Sequence, residues 1–237
     1  MKGKNVCRLC NEISKLQESH IIPSFAIKFI RDKKLKHRFY EICRKQKRII
    51  QDGPKEYLLC TKCEQQISGY EQYFKEAIYR NKHGAKRSHD EQSFVIENLE
   101  YKKIKLFFLS LLWRASISSK PEFENVSLSY NEDIIRKMIA EENPGHSSKF
   151  SISAIVPLIR GKYNEGWATT FFDLEDEKTD IYSIVIGGIL YAISMDNKNI
   201  LSTEEIVLNE SGCWMIPLGD AWEIQCLRDT IKDNFNK

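Results

Sequence analysis

Apolar positions recur along the chain with two different periods, and the change between them divides it. From Thr61 to Asn81, Ile67, Tyr70, Phe74 and Ile78 fall three to four residues apart, which predicts a helix with one buried face, ended by Gly84. A second helix, Leu99 to Ser116, is apolar nearly all round (Ile104, Leu106, Phe107, Phe108, Leu109, Leu111, Leu112, Trp113) and is therefore expected to be buried. A third runs from Asn131 to Glu142 behind an Asn-Glu-Asp first turn and stops at Asn143-Pro144-Gly145. Beyond Gly145, runs rich in Val, Ile, Phe, Tyr and Trp predict strands at 149–159, 166–174, 180–195, 204–208 and 213–217, with Gly187-Gly188 as a bend or bulge. A final helix is expected over 220–234.

The first sixty residues are less regular. Pro23 opens a short apolar helix to Asp32, and strands are expected at 37–43, 46–51 and 56–60. The last two flank the turn signal Asp52-Gly53-Pro54-Lys55 and read as a hairpin delivering Cys60. The polar, basic stretch 83–95 reads as a linker between residues 1–82 and an α+β region, 96–237. The four tryptophans, Trp113, Trp167, Trp214 and Trp222, lie in apolar runs and are expected to anchor the core.

Seven cysteines change this picture. Cys7/Cys10 and Cys60/Cys63 are two C-x-x-C pairs, each able to present two thiolates to one ion from a tight turn, and together they complete a four-sulfur structural zinc site. Such a closed shell has no open coordination position, so its role is architectural. Cys43, Cys213 and Cys226 are expected to be buried or neutral, and His83, His89 and His146 to be solvated in polar loops. An odd number of cysteines, four of them spaced for metal, fits a reducing cytoplasm. The N-terminal residues contain no apolar signal core, and the longest apolar runs fall short of the roughly twenty residues that span a bilayer. No Gly-rich phosphate loop and no G-x-S-x-G elbow occurs, which removes nucleotide-driven motors and serine hydrolases of that type.

Between the cysteine pairs stands Ser19-His20-Ile21-Ile22-Pro23, and after the second pair stands Glu64. Residues 7 to about 72 thus resemble the zinc-containing branch of the HNH, or ββα-metal, nucleases. There, one C-x-x-C precedes an Asp-His or Glu-His step followed by Ile/Val and Pro. A second C-x-x-C, usually followed by Asn or His, opens the metal-site helix. The resemblance implies an α+β protein whose N-terminal, zinc-stabilised ββα-metal (treble-clef-like) module precedes helices and a mostly antiparallel sheet. It implies His20 as general base on a water attacking a phosphodiester, with catalytic magnesium or manganese. This chain departs from the family at Ser19 and Glu64, which replace the acid and the Asn or His. Glu64 is a good ligand for a hard cation and serine a poor one. Glu18 is a candidate for the displaced role, and Glu71, seven residues after Glu64, shares its helix face. A histidine that merely ties down a loop, and glutamates that merely face solvent, are the alternatives.

Charge gives the partner. Residues 1–90 hold 21 Lys/Arg against 10 Asp/Glu, net +11, and residues 91–237 hold 15 against 23, net −8. Lys33, Lys34, Lys36, Arg38, Arg44, Lys45, Lys47 and Arg48 lie between the two cysteine pairs, where they can track phosphates without reading sequence. A solvated lysine-rich surface explains the charge equally well. The expectation is an HNH-like endonuclease acting on nucleic acid, DNA foremost, with residues 96–237 meeting a protein partner or a second copy. Defence against foreign DNA is a setting that kinship with bacterial HNH proteins implies. The rival is a zinc module that binds nucleic acid or protein without cutting.

Overall fold

The computed structural model describes residues 5–26, 53–163, 168–173, 181–195, 206–224 and 227–228. The strands expected at 37–43 and 46–51, the basic residues Lys33 to Arg48, Cys43, Cys226 and Trp167 lie outside these residues, as do most of the helices expected at 23–32 and 220–234.

The described N-terminal part is built from short strands and one helix. β1 (Asn5–Val6) pairs antiparallel with β2 (Ile13–Ser14), folding the Cys7–Cys10 turn between them. β3 (Leu16–His20) pairs antiparallel with β4 (Lys55–Cys60), with His20 opposite Lys55, Ser19 opposite Glu56 and a bulge between Gln17 and Glu18. Among the described residues β4 pairs with β3, and residues 46–51, its hairpin partner expected from the turn signal, lie outside them. Ile21 and Ile22, both buried, seat the chain after His20, and the Ile21 amide donates to the Pro54 carbonyl. Helix α1 (Thr61–Phe74) leaves β4 without an intervening loop and continues as a π turn over Lys75–Tyr79. Its buried face is Cys63, Ile67, Tyr70 and Phe74, as the spacing predicts.

Helix α2 (Tyr101–Ser116) lies at the centre, with every residue from Ile104 to Ala115 buried. Phe107 stacks on Phe74 of α1 at 4.1 Å between ring centroids. α3 (Asn131–Ala140) packs along α2 and supplies Ile135 and Ile139 to the same core. The remaining strands are β5 (Lys86–Arg87), β6 (Ser93–Ile96), β7 (Ile152–Ile159), β8 (Lys162–Tyr163), β9 (Phe172–Asp173), β10 (Ile181–Ile186), β11 (Ile189–Ser194) and β12 (Trp214–Asp220). They form one sheet in the order β5-β6-β12-β7-β11-β10-β9, with β8 on β7, antiparallel except where β12 runs parallel to β7.

Alternation along the strands gives each face its own cover. Ile152, Ala154, Ile184, Tyr191 and Ile193 join the main core, where Phe108 of α2 meets Tyr191 at 4.7 Å and Trp214 at 6.4 Å. Ile159, Val185 and Leu190 face the other way, against Ala221 and Leu227.

Several expectations are corrected. Residues 83–95, read as a linker, contribute β5 and the start of β6 to the sheet. The 180–195 run is not one bent strand: Gly187 and Gly188, at φ of 60° and 76°, form a two-residue turn that folds it into the hairpin β10–β11. Gly187 also has no room for a side chain, because an added Cβ would stand 2.6 Å from the Tyr79 hydroxyl. Of the strand expected at 204–208, the described residues 206–208 form a bridge between Val207 and Ser153, and Cys213 is exposed. Trp113 and Trp214 are core residues, whereas Trp222 is only partly buried. No helix among the described residues is long and apolar enough to cross a membrane.

Candidate functional site

The four paired cysteines meet at the root of β4 and α1. Their sulfurs all lie within 4.8 Å of one another, and Cys7, Cys60 and Cys63 are buried. Cys10 Sγ and Cys60 Sγ are 3.9 Å apart. Tetrahedral zinc, with bonds near 2.3 Å, separates its sulfurs by about 3.8 Å. The local backbone is shaped for this. Cys60 is the N-cap of α1 and Cys63 lies in its first turn, at the positive end of the helix, where thiolates are favoured. The Cys60 amide donates to Cys7 Sγ at 3.3 Å. Asn11, at φ 62°, closes the first turn by donating to the Cys7 carbonyl.

The thiols themselves argue for a cation. Burial works against a Cys7 thiolate, yet backbone amides of Cys10, Cys60 and Leu9 outweigh it and hold that thiol below its ordinary pKa. Burial pushes the Cys10 and Cys63 thiols up, and for Cys63 the crowding by the neighbouring sulfurs adds to it. One sulfur disposed to be anionic beside two that cannot easily follow belongs to a donor set that a soft divalent ion would complete. The four cysteines can therefore hold a metal ion such as zinc.

Beside the cage, β3 and α1 carry the polar residues. Ser19 is fully buried and donates to Glu64 Oε2 at 2.5 Å. The two positions at which the sequence departs from the HNH pattern are thus in direct contact. Glu18, one residue earlier on the strand, is exposed and by alternation points away from Ser19. Glu71 accepts from Arg114 Nη2 at 2.6 Å, and Arg114 Nη1 donates to the main-chain carbonyl of His20, also at 2.6 Å. His20 itself is half-buried at the end of β3. Ser19 and Glu64 are therefore brought together directly, His20 and Glu71 through Arg114, and Glu18 is left apart. Among the described residues, the cysteines are the one set of three or more His, Cys, Asp or Glu side chains whose ligand atoms converge this closely; the glutamates and His20 do not.

Two further contacts tie this region to the downstream helices. Arg136 of α3 donates to the Leu9 carbonyl inside the first C-x-x-C, at 2.8 Å. Glu56 of β4 accepts from the hydroxyls of Ser118 and Ser119 and from the Ser119 amide. Burial raises the Glu56 carboxyl, but these hydrogen bonds prevail and leave it below its usual value. Arg114 and Arg136 were not anticipated. The available signal was Arg114 itself, a lone arginine inside Leu-Leu-Trp-Arg-Ala-Ser, since a charge on an all-round buried helix requires a partner.

Comparison with models of known families, with curated proteins and with solved structures finds no match to this chain.

Proposed function

We propose that the chain is an HNH-like endonuclease whose ββα-metal, treble-clef-like module is stabilised by zinc on Cys7, Cys10, Cys60 and Cys63. The observation that carries this reading is the succession β3, β4, α1, with Ser19-His20 ending the first strand and Ser19 bonded to Glu64 in the first turn of the helix. That is where the resembling nucleases keep their strand acid, their base and their helix ligand.

In this reading His20 accepts the proton of a water attacking the scissile phosphorus, a role suited to a neutral imidazole near physiological pH. Glu64, oriented by the buried Ser19 hydroxyl, is the carboxylate offered to a hard cation. Magnesium is ordinarily held by one or two carboxylates together with water and substrate phosphate, so a three-ligand protein cage is not required. Bound there, magnesium or manganese supplies charge neutralisation at the phosphate and the leaving oxygen. The substrate is nucleic acid, DNA foremost, and residues 96–237 serve a protein partner or self-association.

A specific observation favours a second reading, a zinc module that binds without cutting: Glu64 and Glu71 already have internal partners in Ser19 and Arg114. Incubating the full chain with supercoiled plasmid and magnesium or manganese, beside His20→Ala and Glu64→Ala, separates the two. Nicking or linearisation by the wild type and its loss in both variants supports the nuclease. Retention of plasmid by all three proteins with no cleavage under either metal supports the binding module.

A further inference from the structure

We infer that Arg114, far outside the resembling segment, is a positioning residue for His20, with Glu71 as its counter-charge. The inference rests on the nuclease reading for its catalytic consequence, but not for its geometry.

Arg114 is 1% exposed and sits near the C-terminal end of α2, within the apolar centre of the molecule. A buried guanidinium is tolerated only when it is paired and its donors are used. Here Nε donates to the Ser110 carbonyl of its own helix at 3.3 Å, Nη2 to Glu71, and Nη1 to the His20 carbonyl, 94 residues away in sequence. The planar fork fixes the angle between these bonds, so α1, α2 and the end of β3 are set relative to one another by one side chain.

The point of attachment matters. A bond to the His20 carbonyl holds the backbone from which the imidazole projects. Buried Ile21 and Ile22 seat the chain on the far side of that carbonyl, and the Ile21 amide is bonded to Pro54. The peptide unit that follows the proposed base is thus held at both its polar groups, its carbonyl from α2 and its amide from Pro54, just before β4. Glu71, 21% exposed, compensates the arginine and is oriented by it. Its role in this arrangement is to hold Arg114 in place, and metal ligation is left to Glu64.

The test compares Arg114→Met, Arg114→Lys and Glu71→Gln with Leu111→Ala, a buried change on the same helix. All are prepared as full chains with verified metal content and thermal midpoint. Plasmid cleavage is read as separate kcat and KM values over a range of pH, and the His20 imidazole is followed by NMR. Misplacement of a catalytic group by about 1 Å costs on the order of a hundredfold in rate. Arg114→Met is therefore expected to lose kcat on that scale with KM unchanged, Arg114→Lys to recover part of it, and Leu111→Ala to lower the midpoint without altering kcat or the pH profile. Glu71→Gln keeps the shape and an acceptor oxygen, and serves if Arg114→Met does not fold. It is expected to shift the His20 resonances in the same direction as the arginine variants. Unmoved His20 resonances in folded Arg114→Met or Glu71→Gln overturn the inference. Wild-type protein that never cleaves overturns the nuclease reading instead, and the His20 resonances still decide the clamp.

Discussion

The cysteine end and the sheet end of this molecule are held by different forces. Around β3, β4 and the start of α1 the stabilising groups are sulfurs, a buried serine, two carboxylates and an arginine, satisfied by a few particular partners. Around α2 and the sheet they are rings and branched aliphatics, from the Phe74–Phe107 stack to Tyr191 and Trp214, for which many shapes of similar volume would serve. The first kind of region fails when one partner is removed. The second loses stability in proportion to what is removed. Yet the two share one continuous apolar cluster running from Cys7 to Ile216, so damage at either end is felt by the other.

The largest effect that would break this contrast is loss of the ion that the four cysteines can hold. Structural zinc contributes about 10–16 kcal/mol to folding in zinc-finger peptides. Chelation, or Cys60→Ser, is therefore expected to abolish the cooperative thermal transition and to release one metal equivalent. Metal analysis and near-ultraviolet circular dichroism check this. An unchanged transition after verified metal removal would show that the apolar cluster suffices without the cage. A smaller effect is expected at the sheet end: Phe107→Ala removes a fully buried ring and costs about 3–5 kcal/mol. Urea unfolding should show it as a lower midpoint with no loss of bound metal, since the rings around Phe107 are those of Phe25, Phe74 and Phe108.

The smallest effect sharpens the comparison by asking what a charge does in the apolar half. Lys105 is buried in α2, with its ammonium donating to the Tyr101 hydroxyl and to the carbonyls of His146 and Lys149. Burial pushes its pKa down to about 8, with Glu210 opposing and Lys149 reinforcing that shift. Unfolded lysine titrates near 10.4, so between about pH 8 and 10 the unfolded chain binds more protons at this site. Stability from this group therefore rises with pH across that window and is least below pH 8, where a full charge must be buried. The slope is at most about 1.4 kcal/mol per pH unit. Subtracting the urea midpoints of Lys105→Met from those of the wild type isolates it; parallel curves would show that Lys105 keeps an ordinary pKa.

What the sequence discloses follows the same division. The cysteine cage is legible because C-x-x-C spacing is itself a statement of geometry, and α1, α2 and α3 are legible because helical periodicity is local. β3 was hidden: Leu16-Gln17-Glu18-Ser19-His20 has no alternation, and its extended state comes from pairing with β4 across the chain and from Ser19 finding Glu64. β10 and β11 read as one run because both faces of the sheet are covered, so apolar residues are continuous instead of alternating. The link between His20 and Arg114 is tertiary throughout. The sequence could mark Arg114 as needing a partner, but could not say which.

The placement of β12 has a consequence for how the protein is made. This strand, 214–220, lies between β6 (93–96) and β7 (152–159). A nascent chain that has not yet delivered it presents two open strand edges, each a template for pairing with a neighbouring chain. Trp214 on that strand also packs against Phe108 of the helix that carries Arg114. Synthesis must therefore pass residue 220 before the sheet is continuous and Phe108 has its Trp214 neighbour.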